Sequence, residues 1–155
     1  MIYIAHRGLF KGPDPKSENK PTQIERAIKE GFDCEIDLWA HEWEGKYELL
    51  LGHDNGVYQV DYDWLIDKPL WIHAKNLTAL YWLSKQEKSF NYFWHQEDTY
   101  TITSRGYIWT YPGNPLTYRS IDVLPEWNTK ELHNYDQTCY GVCSKYVGLM
   151  KKVTK

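Results

Sequence analysis

Apolar residues in this chain gather in short runs, each closed by glycine or a polar cluster. The clearest are Ile2-Tyr3-Ile4-Ala5, the stretch from Phe32 to Leu38, and Tyr47-Glu48-Leu49-Leu50-Leu51. Short runs rich in β-branched and aromatic side chains, bounded by turn formers, read as buried strands. Eight strands are predicted on this basis, at about residues 2–6, 32–38, 47–52, 70–74, 90–95, 107–111, 120–124 and 140–144. Helical periodicity is confined to two segments. Over residues 22–30, Ile24, Ala27 and Ile28 form an apolar stripe. Thr22 serves there as N-cap, Glu25 completes a capping box, and Gly31 ends the helix. Over residues 77–88, Leu77, Leu80, Tyr81 and Leu83 repeat the pattern, with Trp82 adding aromatic cover. Most other connections have room for little more than turns. Lys11 to Ser17 is a loop with two prolines and a glycine, Pro112-Gly113-Asn114-Pro115 is another, and Ala40 to Lys46 turns around Gly45.

Chemistry sits where these strands end. His6-Arg7-Gly8 closes the first, Glu35 and Asp37 lie in the second, and Gly52-His53-Asp54 closes the third. Side chains alternate along a strand, so Glu35 and Asp37 share a face about 7 Å apart along the backbone. Two carboxylates placed so converge on a hard cation, Mg²⁺ or Ca²⁺. Two histidines suit proton transfer near neutral pH. The planar fork of Arg7 matches phosphate oxygens, or alternatively a rim salt bridge to Glu35 or Asp37. Three strands carrying chemistry to one rim suggest an α/β barrel.

The order His6-Arg7-Gly8, Glu18-Asn19, Glu35-Ile36-Asp37, Gly52-His53-Asp54 resembles the glycerophosphodiester phosphodiesterase family. More loosely it is similar to the wider phosphatidylinositol-phospholipase-C-like phosphodiesterase superfamily. Ile108-Trp109-Thr110-Tyr111 and Gly141-Val142-Cys143-Ser144-Lys145-Tyr146 resemble the family's sixth and last strands. The resemblance implies a TIM-like (β/α)8 barrel. Such barrels typically run to about 250 residues. With 155 residues, this chain is expected to be one domain, 1–155, with several helices reduced or missing. The resemblance further implies that His6 and His53 are the acid/base pair, that Glu35 and Asp37 hold the metal, and that Arg7, Lys75 and Asn19 meet the substrate or organise the loop beside it.

One motif departs from the family. Its fourth strand usually ends in an E-x-K pattern whose glutamate completes the metal site. Here the run is Trp71-Ile72-His73-Ala74-Lys75-Asn76, which keeps the lysine as Lys75 and puts His73 in the place of the glutamate. Imidazole suits Zn²⁺ or Mn²⁺ better than Mg²⁺ or Ca²⁺. Three readings stay open: His73 is a ligand, it contacts substrate, or the metal rests on Glu35, Asp37 and water. In Trp94-His95-Gln96-Glu97-Asp98, His95 is a further ligand or substrate contact, with Glu97 or Asp98 as a stand-in for the glutamate. Trp109 is placed to wall the substrate pocket, and Ser104-Arg105 offers another phosphate contact. His41 and His133 read as surface residues.

Composition narrows the partners. The net charge of −3 and pI near 6.1 argue against nucleic acid. Eight tryptophans and thirteen tyrosines cover strand faces that missing helices leave bare, or offer a face to a second copy of the chain. No run approaches the roughly 20 apolar residues of a membrane span. The chain begins directly in a strand, which predicts a cytoplasmic protein with Cys34, Cys139 and Cys143 reduced and buried. Lys151, Lys152 and Lys155 read as a solvated end. The expected function is metal-dependent hydrolysis of a small phosphodiester in a shallow, open pocket. The alternatives are a decayed phosphate- or sugar-phosphate-binding module and a lyase giving a cyclic phosphate.

Overall fold

The structure, a computed structural model, describes residues 1–86 and 90–153. Its strands are β1 (Ile2–His6), β2 (Asp33–Trp43), β3 (Lys46–Leu51), β4 (Tyr58–Val60), β5 (Leu70–Ala74), β6 (Asn91–Phe93), β7 (Tyr100–Ile102), β8 (Ile108–Thr110), β9 (Ser120–Val123) and β10 (Gly141–Ser144). Seven of them run parallel in the order β6-β5-β2-β1-β10-β9-β8. Antiparallel β3, β4 and β7 flank them. All eight predicted strands form; β4 and β7 are additional.

The expected (β/α)8 barrel is not what forms. The sheet is mixed and does not close, and the α-helices among the described residues are four short ones. The reason lies in the connections. A parallel strand pair needs a crossover of a dozen or more residues, whereas two residues suffice for a hairpin. Between β2 and β3 the chain turns at Glu44 and Gly45, with φ of 50° and 76°, so β3 folds straight back along β2. At the other side, β6 and β7 do not pair as a ladder. Isolated bonds link them instead: the Ser104 amide donates to the Tyr92 carbonyl, the Tyr92 amide to Ser104 Oγ, and Thr101 Oγ1 to the Trp94 carbonyl.

Helix α1 (Pro21–Lys29) follows the predicted stripe, with Ile24 and Ala27 buried against the sheet. Its start differs: Lys20 is the N-cap, with Pro21 opening the first turn and no side-chain cap, so Thr22 lies inside the helix. Helix α2 (Tyr62–Leu65) is one turn capped by Asp61, and α4 (Val147–Val153) closes the chain with Lys151 and Lys152 in its last turn. Helix α3 (Leu77–Ser84) is shorter than the predicted segment, whose residues 87 and 88 lie outside the described residues, as does Lys155.

Alternation divides the core in two. Ala5, Cys34, Ile36, Leu38 and Ile72 face outward under the helices, while Ile4, Trp71, Phe93, Trp109, Ile121, Val123 and Cys143 face inward. His6, Glu35 and Asp37 fall in register with the inward set. The tryptophans divide likewise: Trp71 and Trp109 are inner-face residues, Trp82 packs outside, and Trp43 and Trp127 are exposed. The three cysteines are free and buried, as expected. No helix among the described residues is long and apolar enough to cross a membrane.

Candidate active site

A left-handed turn at the end of β1 starts the site. Arg7 and Gly8 both take positive φ, 53° and 78°, so the chain reverses immediately after His6. That turn brings Arg7 back to the inner rim, where strict alternation would have sent it outward. Gly8 is required twice over, since a Cβ there would also stand 3.0 Å from Ile24 of α1. The Arg7 amide donates to Glu35 Oε2 at 3.0 Å, and its Nη1 donates to Glu18 Oε2 at 2.8 Å. Arg7 Nε stands 3.1 Å from Asp37 Oδ2 without aiming its N–H there, so that contact is between charges.

Glu35 and Asp37 are almost wholly buried, yet their surroundings differ. Glu35 receives the one backbone N–H of Arg7. Burial, and then the neighbouring Asp37 charge, push its carboxyl up to about 8. For Asp37, burial opposes ionisation, but the His73 ring and the Arg7 and Lys75 charges outweigh it and hold the carboxyl well below its usual range. Lys75 Nζ is 3.7 Å and His73 Nδ1 is 3.1 Å from Asp37 Oδ1. Donor atoms of Glu35, Asp37 and His73 all lie within 4.8 Å of one another, a fit for one divalent cation.

Asn19 has a different place from the one the sequence suggests. It is 1% exposed and does not line the cavity that the other candidates share. Its Nδ2 donates to Asp37 Oδ2 and its Oδ1 accepts from the Asp37 amide, both at 2.9 Å. It therefore positions Asp37, filling the gap between the last β1 pairing at Glu35 and the first β3 pairing at Leu38. Glu18 does the same for the cations, bonding Arg7 and, at 2.5 Å, Lys145 Nζ.

The histidines are unlike one another. Burial, reinforced by Arg7, drops His6 to about 3, so it is neutral at neutral pH, and its Nδ1 has no hydrogen-bond partner. His53 arrives from the end of β3 beside Asp37, where the Gly52 amide donates to the Asp37 carbonyl. Its side chain is 45% exposed, and its Nδ1 donates to Asp54 Oδ1 at 2.7 Å. His73 Nε2 donates to the His95 carbonyl at 2.7 Å, and the ring stacks on Phe93. His95 Nε2 donates to the Asp98 carbonyl at 2.6 Å, and burial lowers its basicity.

A cavity of about 300 Å³ collects His6, Arg7, Glu35, Asp37, His53, His73, Lys75, His95 and Trp109. With Asn19 standing behind them, these nine sequence-derived candidates thus meet at one place. Ser104 and Arg105 do not: Ser104 bonds β6, and Arg105 lines a separate hollow with Trp71 and Tyr107. Glu97 and Asp98 are exposed and absent from the wall, while Gln96 is part of it. His41 and His133 are exposed, as expected.

Sequence reasoning missed the far wall, formed by Tyr111, Pro112, Leu124 and Trp127. Trp127 stands on a one-turn 3-10 helix (Pro125–Trp127) after β9, where no periodic signal marks it. It also left Lys145 without a role, although its motif was visible. Comparison of the chain with protein-family models, curated proteins and solved structures returned no match.

Proposed function

We propose that this cavity is the active site of a divalent-cation-dependent phosphodiesterase acting on a small, glycerophosphodiester-like diester. The observation that carries the reading is convergence. His6, His53, Arg7 and Lys75 share one cavity with the buried pair Glu35 and Asp37. Binding an anion needs only the cations; two differently solvated histidines are needed for moving protons.

In this reading Arg7 and Lys75 draw the diester oxygens to the rim. His6, on the cavity wall with its Nδ1 free of any hydrogen-bond partner, accepts the proton of the attacking hydroxyl or water. His53, oriented by Asp54 and open to solvent, returns a proton to the leaving alkoxide. A cation on Glu35 and Asp37 neutralises charge on a phosphoryl oxygen when bound. The cavity volume, near the lower end of ligand pockets, suits a small diester better than a long acyl chain. The aromatic wall at Trp109, Tyr111 and Trp127 supplies apolar surface for the leaving group.

The test is turnover of bis-p-nitrophenyl phosphate and of glycerophosphodiesters with Mg²⁺, Ca²⁺, Mn²⁺ or Zn²⁺. Rates should fall with chelator and drop by about 10²-fold or more in His6→Ala and in His53→Ala, the usual worth of a general acid or base. Phosphorus NMR of the product separates hydrolysis from cyclic phosphate release. Failure of every ion, in protein that still binds a phosphate ligand, would replace the enzyme with a binding module.

A further inference from the structure

His73 occupies a position in which both ring nitrogens are committed. A carbonyl oxygen only accepts, so the 2.7 Å contact from Nε2 to the His95 carbonyl fixes the hydrogen on Nε2. Nδ1 stands 3.1 Å from Asp37 Oδ1, so a positive centre joins the two, either a proton on Nδ1 or a metal ion. The ring is oriented by stacking on Phe93, with centroids 5.2 Å apart and planes 10° from parallel.

A proton on Nδ1 would serve Asp37 alone, which already has Arg7 and Lys75 beside it. It would leave Glu35, 2% exposed, with one hydrogen bond from the Arg7 backbone N–H and the His6 Nε2 3.8 Å away. A metal ion shared by the three side chains satisfies both carboxylates and the lone pair together. Metal-ligating histidines commonly have the other nitrogen held by a carbonyl or carboxylate, which sets the tautomer. Here the His95 carbonyl holds that position before any ion arrives.

We propose that His73 is a metal ligand through Nδ1, with its tautomer set by the His95 carbonyl, making the centre a mixed nitrogen–oxygen site. Such a donor set selects borderline ions, Mn²⁺ or Zn²⁺, over Ca²⁺. The inference rests on the metal-dependent reading above, but its test does not depend on turnover.

Mn²⁺ is the probe, titrated into the full chain and followed by electron paramagnetic resonance. Spin-echo modulation should reveal one directly bound nitrogen in the native protein. In His73→Gln that modulation should vanish and Mn²⁺ affinity fall about tenfold or more, with Ca²⁺ competing better. Thermal unfolding of the variant shows that it is folded, and the native spectrum alone still decides if it is not. Mn²⁺ bound without nitrogen modulation, or with modulation unchanged in His73→Gln, would overturn the assignment and leave the phosphodiesterase reading intact. No Mn²⁺ binding would overturn it too, and diester turnover in the same sample would show whether the hydrolase reading survives.

Discussion

Asp122 shows how a single carboxyl can register what covers a sheet. On β9, Ile121 and Val123 point into the inner core, so Asp122 points outward, where a loop rather than a helix lies over it. Burial, then the charges of Asp136 and Glu126, push it from 3.8 up to about 6. The folded chain therefore binds a proton that the unfolded chain releases earlier. Stability should fall as pH rises from about 4 to about 6, the reverse of the usual carboxylate trend. Asp122→Asn should remove that slope. Its unfolding temperature should exceed the native one at pH 7 and match it below pH 4; equal slopes in both proteins would refute the account. Asn19 is the opposite case, a buried polar side chain whose Nδ2 and Oδ1 each find a partner in Asp37.

Among the elements, α3 is tied to the sheet by its cap. Asn76 Oδ1 accepts from the Ala79 amide at 2.9 Å and the Ala40 amide at 3.3 Å, while Nδ2 donates to the Ala40 carbonyl at 2.8 Å. One side chain thus caps a helix and extends the β5 edge along β2. Asn76→Ala should cost about 2–3 kcal/mol in denaturant unfolding, a lost cap plus unsatisfied backbone groups. Asn76→Asp keeps the cap and loses the donor, so it should fall between; a loss below 0.5 kcal/mol in both would reject the role. The same region explains what was readable here. Asn76 stood at a visible boundary between an apolar run and a helical stripe. Its reach to Ala40 depends on strands distant in sequence and left no local trace.

The open side of the sheet has consequences for how the fold breathes. β1, β2 and β10 are paired on both edges, whereas β6 meets β7 only through scattered bonds around Ser104 and Thr101. Local opening follows the density of buried contacts and backbone ladders. Amides of Tyr92 and Ser104 should exchange with solvent well before those of Ile4, Cys34 and Val142. Equal protection across these positions, measured by native-state hydrogen exchange, would mean that the seam behaves as a closed ladder. The seam adjoins Phe93 and His95, so opening there would loosen the wall behind His73.

Strand identity, the inward alternation of Glu35 and Asp37, and the gathering of His6, His53 and Lys75 at strand ends were all local properties, set by side-chain period and turn chemistry. They could be read from the chain. The direction of β3, the failure to close and the aromatic wall at Tyr111 and Trp127 were not, because each depends on register between distant segments. The role of Arg7 shows the division well. Its charge and fork declared an affinity for phosphate, but only the left-handed turn at Arg7-Gly8, seated against Ile24 of α1, decided that it faces the carboxylates. Chemistry travels with the residue type, whereas direction and neighbours are fixed by packing that no short stretch of sequence contains.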